Sequence, residues 1–159
     1  MAVDTTQTKK IRFIESGKDA RCQIVIEEGT EQVIIEIVAE KTLPEFATEI
    51  ICKKNSRARY VCVFSDTGSG ALKNNRTITL EDGAELTSTY FYFGGEVCTV
   101  NNHFLIHERA RVNHEILFFA NGHQILDIQE KFEFQTPDSY GRFIAKGLTA
   151  NEAESKYLG

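Results

Sequence analysis

Apolar and polar positions alternate along most of this chain with a period of two. Tyr60, Cys62 and Phe64 share one parity with Arg59, Val61 and Val63 between them. The same alternation recurs with Leu86, Ser88 and Tyr90 against Glu85, Thr87 and Thr89, and with Val112, His114 and Ile116 against Arg111, Asn113 and Glu115. Successive strand side chains point to opposite faces, so the pattern predicts strands with one buried face. Polar turn signals punctuate it. Asn55-Ser56-Arg57-Ala58, Glu81-Asp82-Gly83-Ala84 and His107-Glu108-Arg109-Ala110 superimpose with Ala58, Ala84 and Ala110 in register, a period of 26 residues. A second set of breaks, at Asp66-Thr67-Gly68-Ser69-Gly70, Gly94-Gly95 and Asn121-Gly122, supplies glycine for tight turns.

A repeat of this length built from short strands predicts a solenoid. The expected fold is all-β: a right-handed parallel β-helix of about five coils, each of about 26 residues. A weaker unit spans 24–38 and a degenerate one follows Phe132. Residues 1–10 are polar and read as a flexible N-terminal segment, frayed or helical, with 11–159 as one β-helix domain. The 26-residue register predicts that Ala58, Ala84 and Ala110 stack at one turn, and that Asn75, Asn101 and Asp127 form a structural ladder.

At 159 residues, with 42% apolar residues, the chain suits one domain with a core. A net charge of −5 with mixed signs argues against nucleic acid, which needs clustered Lys and Arg. No apolar run approaches the ~20 residues of a membrane helix, and the start lacks a signal-peptide pattern. The expected location is cytoplasmic. The four cysteines have no Cys-x-x-Cys spacing, so they are expected as thiols outside any self-contained zinc or iron–sulfur motif.

Gly122-His123-Gln124, Asp127, Ser139, Lys146-Gly147 and Ser155-Lys156-Tyr157-Leu158-Gly159, with Asn75-Arg76 leading into Leu80-Glu81-Asp82-Gly83-Ala84-Glu85 upstream, make an ordered set. Over roughly Ile24 to Gly159 the chain resembles the SufB/SufD family of iron–sulfur cluster assembly proteins. Phe134 stands where the family often has a histidine. The resemblance independently implies a right-handed parallel β-helix core. It also implies a short member or fragment that lacks the family's C-terminal part, which carries the usual cluster-binding positions and the docking region for a SufC-like ATPase.

The function this implies is a non-catalytic scaffold component of SUF-type cluster assembly. It would hold no stable cofactor on its own, and at most a transient cluster within a larger assembly, with a SufB/SufD-like subunit or a second copy as partner. The alternative is a purely structural β-solenoid that pairs with itself or a relative and binds no metal. A cupin-type metalloenzyme is disfavoured, since no phosphate loop, G-x-S-x-G or H-x-H pattern occurs.

The candidate metal ligands are Cys98, His123 and His114. His103 and His107 sit four apart, but on a strand that separates them by about 13 Å. His114 has inward parity, and the 26-residue register stacks it under Ser88 and Cys62. That column would be either a structural core arrangement or a polar path for sulfur or metal along the lumen. For His123 the structural reading is a hydrogen bond to a neighbouring turn.

Overall fold

The computed structural model describes residues 10–16, 19–38, 44–65, 71–93 and 95–159, with side chains from residue 19 onward. Twelve strands occur among them: β1 (Lys10–Ser16), β2 (Arg21–Ile26), β3 (Glu31–Val38), β4 (Glu45–Cys52), β5 (Arg57–Phe64), β6 (Ala71–Leu80), β7 (Glu85–Phe93), β8 (Val97–Ile106), β9 (Arg111–Ala120), β10 (Ile125–Phe134), β11 (Tyr140–Thr149) and β12 (Glu154–Leu158). Odd strands form one six-stranded sheet in the order β1-β3-β5-β7-β9-β11, and even strands form the second in the order β12-β10-β8-β6-β4-β2. Among the described residues every strand pairing is parallel, for example β5 with β7 and β6 with β8. This is the expected all-β parallel β-solenoid of about five turns.

The alternation explains why the two sheets face each other. In β5 the inward set Ala58, Tyr60, Cys62 and Phe64 is buried, and in β8 the inward set Cys98, Val100, Asn102, Phe104 and Ile106 is buried. Burying a Leu, Ile or Phe contributes roughly 1.5–3 kcal/mol, and each coil alone has only one face to offer. Stacking joins these faces into one continuous core.

The turns that close β2–β3, β4–β5, β6–β7 and β8–β9 share one geometry. Their third residues, Gly29, Asn55, Gly83 and Arg109, have φ of 65, 56, 68 and 56°. This left-handed conformation suits glycine and asparagine and is uncommon for arginine. The turns also bond to each other: the Gly29 N–H donates to Lys54 O, Asn55 to Asp82 O and Gly83 to Glu108 O, at 2.8–3.1 Å.

The coil length is not constant. Gln32 pairs with Ala58, 26 residues on, but Ala58 pairs with Leu86, 28 residues on. Two extra residues lie in the link between β5 and β6. The turn-closing column is therefore Thr30, Ser56, Ala84 and Ala110, shown by the bonds from Arg57 N–H to Thr30 O, Glu85 N–H to Ser56 O and Arg111 N–H to Ala84 O. Ala58 lies inside β5 instead of in the Ala84–Ala110 column. Its small side chain mimics a turn-closing residue in the sequence. The same shift corrects the expected Cys62 column, and a second addition of two residues, between β9 and β10, corrects the expected Asn75 ladder. Cys62 stacks on Tyr90 and Ile116, while Ser88 and His114 stack with Tyr60. Asn75 and Asn101 do form a ladder, with Asn101 Nδ2 donating to Asn75 Oδ1 at 2.9 Å, but the next member is Gln129, and Asp127 pairs with Thr99.

Residues 1–9 of the expected N-terminal segment, and the expected turn at 66–70, lie outside the described residues. Lys10 already belongs to a strand. At the other end, 150–153 form a turn and Glu154–Leu158 add strand β12 to the even sheet.

Candidate functional site

The inward positions carry a chain of polar side chains that runs through the lumen from β3 to β12. Glu36 of β3 and Arg76 of β6 form a 3.0 Å ion pair with both side chains essentially inaccessible. Tyr60 donates a short hydrogen bond to the same carboxylate, and Thr48 Oγ1 donates to its other oxygen at 3.3 Å. The Arg76 guanidinium also reaches Cys62 Sγ at 3.3 Å, Tyr92 Oη at 3.4 Å and Asn102 Oδ1 at 3.5 Å, and lies over the Tyr90 ring, 4.8 Å from its centroid. Burial alone disfavours this cation, but Tyr60, Cys62 and Glu36 outweigh it and hold the guanidinium charged, above its usual range.

Asn102 joins this cluster to a second. Its amide donates to Glu130 Oε1 at 3.0 Å, which also accepts from His114 Nε2 at 2.9 Å, while Tyr157 donates to Glu130 Oε2 at 2.9 Å. On its other side His114 Nδ1 lies 2.7 Å from Ser88 Oγ. His114 thus bridges Ser88 and Glu130 through its two ring nitrogens. The composition is that of a nucleophile, base and acid relay. Ser88 is enclosed at 1% exposure between the Tyr60 and His114 rows.

Several polar atoms in the lumen have no hydrogen-bond partner among the described residues: both amide atoms of Asn74, Arg76 Nε and Tyr90 Oη. Unpaired buried groups cost about 1–3 kcal/mol each, so such a lumen is retained at the expense of stability. Two of the thiols, Cys52 and Cys62, are held neutral. Burial, with a contribution from Glu81, pushes Cys52 up to about 12, and burial likewise raises Cys62 despite the nearby Arg76 charge.

The three candidate ligands do not come together. Cys98 is buried on the inward face of β8, in register between Leu72 and Leu126. His114 is committed to Ser88 and Glu130. His123 sits on an exposed turn, its Nδ1 3.1 Å from Glu152 of the neighbouring turn. His103 bonds Glu133 at 3.0 Å, and His107 begins the turn before β9. Among the described residues no three His, Cys, Asp or Glu side chains converge in a metal-binding group.

The motif residues near the C-terminal end shape the backbone. Gly122 has a φ of 69°, and Gln124 Oε1 accepts the Asn121 N–H at 2.8 Å, closing the turn. Ser139 Oγ donates to Thr136 O at 2.7 Å. Gly147 faces the Phe118 ring, and a Cβ there would lie 1.9 Å from Phe118 Cε2, so only glycine fits beneath that ring. Lys146 points outward to Glu115 at 3.0 Å, and Asp127 lies on the outer face near Gln129 and Lys156.

A family model for the SufBD core domain of the SUF system of FeS cluster assembly matches residues 10–159. The chain belongs to this family. Its place is thus in SUF iron–sulfur cluster assembly, and the SufBD core is the β-solenoid described above. Comparison with curated proteins and with solved structures gives no match. Among the described residues no helix is long and apolar enough to cross a membrane.

Sequence reasoning reached His114 and Ser88 but missed Glu36, Asn102 and Glu130, and it took Arg76 only as part of a resemblance. A signal was present: each is a polar residue on the parity otherwise occupied by Ile, Leu, Tyr and Phe. A charged residue at an inward position is rare unless paired.

Proposed function

We propose that this SufBD core acts as a non-catalytic scaffold component in the cytoplasm, pairing with a SufB/SufD-like subunit or with a second copy. The cluster is cargo in this reading: it is met transiently within a larger assembly and is not held stably by this chain. The observation that carries the proposal is the commitment of the inward donors. His114 and Glu130 are engaged with each other and with Ser88, Asn102 and Tyr157, and the Cys52 and Cys62 thiols are held protonated. Binding iron would require breaking these contacts and ionising buried thiols. None of the four cysteines is in a disulfide, which suits a reducing compartment.

Pairing is supported by the outermost coil. The inward positions of β11 are small or aromatic, Gly141, Phe143, Ala145 and Gly147, and β11 and β12 are the last strands of their sheets, with Tyr140, Leu148 and Leu158 exposed.

Anaerobic reconstitution with iron and sulfide tests the scaffold reading. The chain alone should yield little or no cluster absorption. A stoichiometric cluster band, abolished by Cys98→Ser or by His123→Ala, would overturn it.

A further inference from the structure

The turn between β9 and β10 holds a side-chain amide and a backbone nitrogen in reactive proximity. Of the asparagines in the chain only Asn121 is followed by glycine. Asn121 is exposed, and its Oδ1 turns back over its own main chain, where it accepts the Gly122 N–H at 2.9 Å. The Gly122 nitrogen is thereby kept beside the carbonyl group of which Asn121 Cγ is the carbon. The turn fixes this approach. Gln124 N–H donates to Asn121 O at 3.4 Å, Gln124 Oε1 accepts the Asn121 N–H at 2.8 Å, and Gly122 has a φ of 69°. No side chain shields the nitrogen: a Cβ built on Gly122 would meet no atom within 4 Å.

A second residue prepares the amide. Asn151, in the stacked turn of the outermost coil, donates its Nδ2–H to the same Oδ1 at 2.5 Å. When a nucleophile adds to an amide carbon, negative charge develops on the amide oxygen, and a donor already aimed at that oxygen stabilises it. Asn151 is itself positioned by its turn, with a φ of 59° and the Ala153 N–H donating to Ala150 O at 3.3 Å. Coil stacking therefore supplies an oxyanion donor that an isolated Asn-Gly segment lacks.

We infer that Asn121 is a self-modification site, at which the folded turn promotes deamidation through a cyclic imide. Water or hydroxide takes the proton from Gly122 N, the nitrogen bonds to Asn121 Cγ, and the Cγ–Nδ2 bond breaks. Ammonia leaves, protonated from solvent. Water then reopens the imide. Breaking the bond from Gly122 N to Cγ gives aspartate, and breaking the bond from Gly122 N to the Asn121 main-chain carbonyl gives isoaspartate. No electrons are gained or lost; water is consumed and ammonia released. Isoaspartate adds a methylene to the main chain inside a turn whose Gln124 O accepts the Glu154 N–H at 2.8 Å, where β12 joins β10. Either product adds a carboxylate to a turn whose His123 already faces Glu152. The reaction thus ages the attachment of the outermost coil and leaves the inner coils untouched.

The test incubates the full chain in mildly alkaline buffer, beside a synthetic peptide of residues 117–127, and follows both by peptide mapping with mass spectrometry. Asn121 should convert at least about tenfold faster than any other asparagine of the chain, and no slower in the folded chain than in the peptide. Asn151→Ala should slow conversion in the folded chain about tenfold, less than the ~10²–10³ of an enclosed oxyanion donor because this turn is exposed. Asn151→Asp keeps the shape without the donor and should slow it at least as much. Two results would overturn the proposal. An Asn121 that stays intact in the folded chain while the peptide converts would show that the turn shields the amide, and conversion indifferent to both Asn151 variants would show that Asn151 has no part in it.

Discussion

The lumen holds two polar clusters of similar size in opposite situations. Around Arg76, full charges are paired in the middle of the stack, walled by Tyr60, Tyr90 and Cys62. Around Glu130, a carboxylate is held by the neutral donors Asn102 and Tyr157 and by His114, and Tyr157 is 37% exposed. In a solenoid, burial depends on how many coils lie on either side. The Arg76 cluster has coils beyond it in both directions, whereas the Glu130 cluster is separated from the outermost edge by β12 alone. The Arg76 cluster is fully enclosed, whereas the Glu130 cluster meets solvent through Tyr157.

The sharpest way to break this contrast is to remove one charge. Arg76→Met should leave Glu36 buried without its counter-charge and cost about 3–5 kcal/mol, measured by urea unfolding. The double variant Glu36→Leu with Arg76→Met should lose less than the single one, because a buried ion pair replaced by apolar groups is often neutral. A loss below about 1 kcal/mol for Arg76→Met would mean that the pair is hydrated in solution.

Alkaline pH probes the same cluster through its thiol. Cys62 and Cys52 have folded values raised above the ordinary 9.0 by burial, Cys52 to about 12. Above pH 9 the unfolded chain loses these protons while the folded chain keeps them, so stability present below pH 9 falls as pH rises. The limiting slope is about 1.4 kcal/mol per pH unit for each thiol. Tyr60, Tyr90 and Tyr92, also raised chiefly by burial, add to the fall above pH 10. Cys62→Ala should flatten the curve between pH 9 and 10 by one thiol's share, and an unchanged slope would show that Cys62 ionises equally in both states.

The fold was legible in the sequence because a β-solenoid repeats one local rule. Inward parity at Tyr60, Leu86 and Val112 needs no knowledge of register. The columns were less legible: a fixed period of 26 cannot detect two residues added after Phe64 and two more between β9 and β10, and every column crossing either link moved. The polar lumen was obscured by a different cause. Glu36 and Glu130 lie 94 residues apart and meet only through Arg76 and Asn102, so no short spacing announces the chain they form. The motif residues were recognisable for the opposite reason: Gly122, Gln124 and Gly147 act locally, on a turn or under one ring.

At the end cluster, Tyr157→Phe removes one donor to Glu130 and keeps the ring. Water can reach the exposed edge of Tyr157 and replace part of that bond, so the expected loss is about 1 kcal/mol, clearly less than for Arg76→Met. A loss as large as that of Arg76→Met would place the two clusters on an equal footing and erase the distinction between middle and end.

The smallest effect on stability, and the most informative about function, is expected at Leu158. This side chain is 58% exposed on β12 and contributes no buried core surface, so Leu158→Glu should change the unfolding free energy by less than about 0.5 kcal/mol. Its influence should appear in association. If the outermost coil pairs through the edges of β11 and β12, light scattering over a wide concentration range should show a dimer, and a charge at Leu158 should shift it toward monomer. Phe119→Ser, on the outer face, should leave that equilibrium unchanged. A chain that stays monomeric at high concentration regardless of Leu158 would instead mean that Phe118, Phe143 and Tyr157 close the end of the lumen well enough to stand without a second copy.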